Sequence, residues 1–551
     1  MEGFIKYIGI SSNGLNFAKV VGTDGKEYYF DSRSLELLRM SDFLIGDVIS
    51  FEHGSGNRLI SINKIINSDL VHHQSQNNDL LNKIKNWSIE ASNEDESYFY
   101  STDEMKDILG GHILYVLYVI GRKGTGKTAI VNSILKSDDK DTHSLKLSFK
   151  NFPFNLLYEC VDEDYVQPNQ YISIWQLIIY RKLSSLLIQD KNIEKTVKIK
   201  IQKLLDYSDE KTSRLLKRID EFSVGLNILG NGLNFGLSKN KINVSWTVQL
   251  DSYKELFNEL NLSGHYYILF DELDEDYKEF IDEKERKKYI SMLTSLFKAV
   301  KYVKQNCSNC IIPLVFLRTD IYNQLTDSDK NKWSENIVSL EWNLEKIKNM
   351  LAYRISKTTN NHGSTINANF DYEFAKIFNP RVIYSGNKKS KAISVFSYIA
   401  RSTQWRPRDF IKYIKICAEE ACSMGMEYAT NEIVKSADAK FSDYLKQEII
   451  DEIFPVLPEI NKILSLFSSI RKQSFNPSIF IEEYNKEIEK GNIKKISAEN
   501  VLGTLFNYNV IGNIPSMKGQ VLYKYAFKDA RFNLKENIIV HRGLYKALQI
   551  F

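Results

Sequence analysis

Eight residues from Gly121 to Thr128, GRKGTGKT, have the types and spacing that hold a polyphosphate. Glycine at 121, 124 and 126 lets the backbone curl with its N–H groups pointing inward, because a side chain there would block close approach of phosphate. Lys127 supplies a flexible cation for the β and γ phosphates, and the Thr128 hydroxyl a hard oxygen for Mg²⁺. Arg122, Lys123, Thr125 and Ala129 complete the loop and the first turn behind it, so nucleotide binding is assigned to residues 121–129. The same pattern also occurs as a plain glycine-rich turn, so its surroundings decide.

Those surroundings are what the chemistry requires. The apolar run Ile113 to Ile120 predicts a buried strand, and Ala129, Ile130 and Val131 predict a helix whose positive dipole end faces the loop. A second apolar run, Tyr266 to Phe270, ends abruptly in Asp271 and Glu272. A strand of this kind is buried on both faces, and its C-terminal tip faces the ligand crevice of a parallel sheet. Asp271 is expected to reach Mg²⁺ through water, and Glu272 to polarise the attacking water. The alternative is a solvated acidic turn, since Asp274, Glu275, Asp276 and Glu279 follow. A third apolar run, Cys310 to Leu317, ends in Arg318 and Thr319, placing Arg318 beside the γ-phosphate side of the crevice. A helix cap made by Thr319 or Asp320 is the other reading of that tip.

The chain that must position these residues has 551 of them, enough for three or four domains. With 43% apolar and 26% charged residues and a net charge of +4, it reads as a soluble, nearly neutral globular protein, expected in the cytoplasm. No apolar run approaches the roughly 18 residues of a membrane span, and MEGFIKYIG does not read as a secretion signal. Five cysteines include one CxxC, Cys307 and Cys310, without a second pair at zinc spacing.

Residues 1–67 alternate as short strands between glycine turns, predicting a small antiparallel barrel. They resemble a cold-shock domain, an OB-type barrel. Gly3 to Tyr7 stand at its first strand, Asn13 to Ala18 at its first nucleic-acid motif and Lys26 to Ser32 at its second. The resemblance makes Tyr7, Phe17 and Tyr29 base-stacking candidates for weak single-stranded nucleic acid. Leu15 and Asp31 depart from the family, which usually has an aromatic and a histidine there, and a protein-docking role stays open.

Residues 68–105 read as a linker with a short helix near Leu80 to Trp87 and exposed His72 and His73. Residues 106–340 alternate strand and helix, predicting a doubly wound α/β core with a parallel sheet. Within it SLKLSF is a strand, Ile172 onward a core helix, and Val224 to Ser245 a hairpin whose GNG is a turn. Residues 341–444 predict a helical lid, with Arg406 and Arg408 at the start of its last clear helix. There they either reach phosphates or pair with Asp409 or a neighbouring carboxylate. Residues 445–551, helices followed by a hairpin, predict a winged-helix-like domain whose recognition helix contains Glu499 and few basic residues.

Together GRKGTGKT, DELDE, FLRTD, WRPRDF and the terminal VHRGLYKAL resemble bacterial FunZ-type P-loop ATPases, related to AAA+ and STAND proteins. The resemblance covers roughly residues 100–551. It implies ATP, Mg²⁺, self-association and a switching role, often in antiphage defence. It would make Lys127 and Thr128 the P-loop pair, Asp271 and Glu272 the acidic pair, Arg318 the first sensor and Arg406 or Arg408 the second. No effector motif is present in the sequence, so a partner effector or sensor protein is expected. A nucleic-acid-stimulated motor and a nucleotide-binding scaffold with negligible turnover are the competing readings.

Overall fold

The computed structural model describes residues 2–10, 16–22, 26–31, 48–54, 57–64, 79–90, 96–109, 115–166, 169–208, 210–224, 242–274, 283–359, 368–379, 382–384, 392–515 and 520–550. Leu15, His72, His73, Ile113, Leu114, the GNG turn, Glu275, Asp276 and Glu279 lie outside them. The chain divides into two units. One joins Met1–Ile89, Trp342–Ile450 and Glu459–Phe551; the other joins Glu90–Glu341 and Asp451–Pro458.

Strands β1 (Glu2–Ile10), β2 (Asn16–Gly22), β3 (Glu27–Asp31), β4 (Val48–His53) and β5 (Leu59–Lys64) form an antiparallel sheet in the order β3-β2-β1-β4-β5. Period-two alternation buries Ile5, Ala18, Val20, Tyr28, Phe30, Ile49, Phe51 and Leu59 together. A bulge between Ile5 and Tyr7 turns both Lys6 and Tyr7 outward. A parallel bridge from Tyr29 to Arg58 joins β3 to the start of β5.

In the second unit, β6 (Tyr118–Gly121), β7 (Thr142–Ser148), β11 (His265–Asp271), β12 (Ile311–Arg318) and β13 (Ile337–Leu340) run parallel. Between β7 and β11 the chain also makes β8 (Tyr207–Ser208), β9 (Ser223–Val224) and β10 (Ile242–Asn243). The main sheet has the order β13-β6-β12-β11-β7-β9, so it is mixed and not wholly parallel: β9 lies antiparallel on β7. Of the expected hairpin over Val224 to Ser245, residues 225–241 lie outside the described residues, and its described flanks pair elsewhere. Val224 pairs with Lys146, and Asn243 with Ser208.

Burial fixes β6. The Tyr118 ring stacks on Phe297 at 4.2 Å between centroids while its hydroxyl donates to the Phe297 carbonyl at 2.7 Å. Trp333 lies beside both rings. Helix Ile172–Gln189 is buried on nearly every side, with Trp175, Ile179, Leu183 and Leu186 in the core as their spacing predicts. It packs on β7 and β11 and on helices Lys195–Leu205, Trp246–Glu259 and Glu283–Asn306.

The first unit continues with helix Leu344–Thr359, the hairpin β14 (Val382–Tyr384) and β15 (Ala392–Ser394), and helices Pro407–Ser423 and Asn431–Ile453. The expected division at 444/445 falls inside Asn431–Ile453, which contains neither glycine nor proline to break it. Helix Ile460–Ile470, β16 (Ser474–Phe475), helices Pro477–Glu489 and Ala498–Asn507, β17 (Ile511–Ile514) and β18 (Asn537–Val540) follow, with the sheet order β16-β18-β17. Between β17 and β18, the described residues 520–536 are turns with one bridge, Asn513 to Leu522. Side chains replace the ladder there. Asn513 exchanges hydrogen bonds of 3.0 Å with the Asn533 backbone, and Lys524 donates to the carbonyls of Lys528 and Ala530. No described helix is long and apolar enough to cross a membrane.

Part of the expected linker is a docked strap. Residues 79–85 are helical, and Leu80, Leu81, Ile84 and Trp87 are buried. The Trp87 indole N–H donates to the Thr358 hydroxyl at 3.1 Å, the Arg354 guanidinium lies 4.7 Å from its ring, and Lys415 donates to its carbonyl at 2.9 Å. Trp87→Ala is expected to cost about 3–5 kcal/mol through the cavity it leaves. Trp87→Phe should cost about 1 kcal/mol beyond its lost volume, for the unmade hydrogen bond. Denaturant midpoints of the unit's unfolding check both; equal midpoints for the two variants would contradict the strap.

Candidate functional site

All four residues of β6 are buried, and the strand ends where Gly121 pairs in register with Arg318 of β12 on one side and Leu340 of β13 on the other. A Cβ on Gly121 would stand 2.5 Å from the Thr125 hydroxyl oxygen and 3.2 Å from Leu340 Cβ, so glycine is required. Gly124 and Gly126 have φ of 79° and 100°, the left-handed region that disfavours other residues. Gly126 is the N-cap of helix Lys127–Leu135 and offers no side-chain cap. The first N–H groups of a helix have no intrahelical partner, and here they face the loop. The Thr125 hydroxyl closes the turn by donating to the Arg122 carbonyl at 2.8 Å.

Lys127 folds over this loop, its ammonium donating to the carbonyls of Gly121 and Arg122 at 2.9 and 3.0 Å. The residue as a whole is half-buried, but its ammonium has lost hydration. Burial lowers its pKa to about 8; Asp274, Asp271 and Asp320 work against that, and Arg318 adds to it. Four charged groups from the tips of β11 and β12 thus act on Lys127. Thr128 and Ala129 follow in the first turn of the helix, and Arg122 and Lys123 are half-buried in the loop.

Asp271 is buried at the end of β11, and Glu272 follows with a φ of 58°, an uncommon conformation for a side chain of its size. β7, paired with β11, brings two residues that the motifs did not reveal. The Lys146 ammonium lies 3.1 Å from Asp271 Oδ2 and 3.4 Å from Glu272 Oε2. The Ser148 hydroxyl donates to Glu272 Oε2. Burial raises the Asp271 pKa, Lys146 opposes this, and Glu272 reinforces it. The signal for Lys146 was a lysine between two core leucines in SLKLSF, unusual in a strand buried on both faces.

Arg318, only 2% exposed, makes a bidentate pair with Asp320, Nε to Oδ1 at 3.0 Å and Nη2 to Oδ2 at 2.7 Å. Its Nη1 donates to Asp274 at 3.4 Å. Burial pulls its pKa down, but Asp320, Asp274 and Glu452 outweigh this and hold it well above the ordinary value. Arg318 is itself the N-cap residue of helix Thr319–Gln324, and Asp320 turns back to it.

Arg406 and Arg408 belong to the other unit. Arg406, the N-cap of helix Pro407–Ser423, is fully buried and pairs with Asp409 at 2.9 Å, while Arg408 lies 3.5 Å from Glu448. On the N-terminal sheet Tyr7 and Tyr29 are 47% and 43% exposed, and Tyr7 and Phe17 rings are 5.6 Å apart. Across three strands Tyr7, Lys19 and Tyr29 are register partners. Asp31 is mostly buried and faces Arg58 at 3.4 Å, and Glu27 pairs with Lys6 at 2.5 Å.

The loop fits a polyphosphate. Its turn admits only glycine at 121, its helix N-terminus is open to an anion, and a lysine bends over it. Hard oxygens from Thr128 and Asp271 suit Mg²⁺ rather than a softer metal. Among the described residues no three of His, Cys, Asp and Glu gather as a metal cage.

Residues 345–450 match the FunZ-associated C-terminal helical domain. No curated protein matches the chain. Among solved structures it is similar to the ORC1 protein of Aeropyrum pernix in complex with DNA, at 12% identity and a TM-score of 0.36, covering 81% of this chain and 91% of that one. It is also similar to CDC6P from Pyrobaculum aerophilum, at 11% identity and a TM-score of 0.30, covering 83% and 96%. Drosophila ORC bound to DNA matches at 11% identity and a TM-score of 0.30, covering 91% and 96%.

Removing one partner of a buried charge pair leaves the others uncompensated. Arg318→Ala is therefore expected to destabilise its unit by on the order of 3 kcal/mol, and Arg318→Lys, which keeps the charge but not the fork, by less. Denaturant titration of the three proteins measures this; a wild-type midpoint for Arg318→Ala would contradict the pairing with Asp320 and Asp274.

Proposed function

We propose that this chain is a Mg²⁺-dependent ATP-binding and hydrolysing switch of AAA+/STAND type. The observation that carries the reading is that the sheet order β6-β12-β11 sets the glycine loop with Lys127 folded over it and the buried Asp271 at the C-terminal ends of strands in one parallel sheet. Residues 121–129 cradle the phosphates and Lys127 neutralises them. Thr128 and Asp271 would hold Mg²⁺, which would supply charge neutralisation at the phosphates. Glu272, once it leaves Ser148, takes the proton of the attacking water. Arg318 answers to the γ-phosphate, and Arg406 or Arg408 acts as a second sensor.

The match of residues 345–450 supports a helical lid of FunZ type. The sheet order with the Tyr29 to Arg58 bridge supports an OB-like barrel, and the run helix, strand, helix, helix, strand, strand with the order β16-β18-β17 supports a winged helix. Self-association and a partner effector or sensor, in a bacterial defence setting, complete the reading. Exposed Tyr7 and Tyr29 favour weak single-strand binding by the barrel as one of its inputs.

Glu272→Gln tests the site: ATP binding should persist while phosphate release falls about a hundredfold or more. Unchanged turnover would contradict the role of Glu272. Lys127 carries a pH signature. Its charge is retained below about pH 8 and lost above it in the free protein, whereas bound triphosphate holds the proton. ATP affinity should be level below about pH 8 and fall by up to about tenfold per unit above it. Lys127→Arg should abolish that fall; a pH profile shared by both proteins would contradict it.

The barrel reading predicts salt-sensitive binding of single-stranded DNA or RNA by the full chain. Phe17→Ala with Tyr29→Ala should weaken it by roughly 1–3 kcal/mol per stacked base. Asp31→His, which removes a carboxylate and frees Arg58, should strengthen it. Titration at two salt concentrations checks both, and indifference to the aromatic changes would leave the barrel as a docking module.

A further inference from the structure

The acidic pair has a third member that neither nucleotide motif contains. Lys146 projects from β7 with its side chain 11% exposed, and its ammonium reaches Asp271 Oδ2 at 3.1 Å and Glu272 Oε2 at 3.4 Å. Resting on the nucleotide reading above, we propose that Lys146 is a positioning residue that competes with Mg²⁺ for Asp271 while holding Glu272, and so sets the Mg²⁺ concentration at which nucleotide is held.

Four observations carry this. Two neighbouring carboxylates, one of them buried, repel each other and need a cation; Lys146 is the one the structure puts between them. Asp271 is also the carboxylate that the nucleotide reading gives to Mg²⁺, and a divalent ion there would meet the ammonium as a like charge at short range. Lysine is also the residue suited to giving way. It is a point charge on a flexible four-carbon stem, whereas a guanidinium fork would hold both carboxylates at once. Glu272, finally, keeps a left-handed φ of 58° while its carboxylate is held by Lys146 and the Ser148 hydroxyl. A backbone in that region persists only where its surroundings over-determine it, so release of Lys146 also frees Glu272 to move.

The test follows a fluorescent ATP analogue bound to the full chain as Mg²⁺ is titrated, a readout that needs no turnover. In Lys146→Met the Mg²⁺ midpoint should move down by roughly tenfold or more, since a unit charge is lost beside a divalent ion in a poorly hydrated site. Lys146→Arg should move it up, because the fork competes better. Circular dichroism and denaturation accompany each variant; if Lys146→Met does not fold, the upward shift in Lys146→Arg alone decides. A midpoint equal to wild type in the folded variants overturns the competition and leaves the nucleotide site standing. A wild-type chain that binds no nucleotide at any Mg²⁺ concentration overturns both.

Discussion

Buried charges at the strand tips are tolerated because each faces an opposite charge. At the ends of adjoining strands Arg318 is held by Asp320 and Asp274, and Asp271 by Lys146 of β7. The strand order makes this possible. β12 is inserted between β6 and β11, so Arg318 stands in register with Gly121 while Asp271 ends the next strand over. β7 on the far side of β11 closes the arrangement with Lys146. Apolar packing below, with Tyr118, Phe297 and Trp333 around β6 and the aromatic core around Trp175, keeps the strand ends from shifting. The site is thus a property of the sheet, and its chemistry is read from what the sheet brings side by side.

Much of this was legible because it is local. Glycines at 121, 124 and 126 announce a turn only glycine makes, and an apolar run stopping at Asp271 announces a strand tip. What stayed hidden depends on register between distant strands. Nothing in SLKLSF says that Lys146 and Ser148 face Asp271 and Glu272, because that pairing joins residues more than a hundred positions apart. The pairing of Arg318 with Asp320 was hidden for another reason: Asp320 after a helix start reads as a cap, and only its geometry shows it turned to the guanidinium. The sheet is mixed where the sequence predicts a parallel one, because the short edge pairing of β9 follows the path of the chain and not its propensity.

The ends of the chain show the same contrast. Alternation was enough to give the N-terminal strands, but not the partners of their acidic residues. Asp31 faces Arg58 and Glu27 faces Lys6, pairings that join positions more than twenty apart. The stretch 68–105 is polar enough to read as a linker, while Trp87 within it is held by Thr358, Arg354 and Lys415. The N-terminal sheet, strap, helical region and C-terminal sheet belong to one unit and residues 121–129 to the other. The chain passes between them at 89/90, 341/342, 450/451 and 458/459.

The central claim is that this site both holds ATP and turns it over. Calorimetric titration of the purified chain with Mg²⁺–ATP, paired with phosphate release from the same sample, tests it most directly. The account predicts one nucleotide bound per chain and phosphate released above the buffer rate. Stoichiometric binding with no release would make the nucleotide structural, and no binding at all would contradict the assignment of the site.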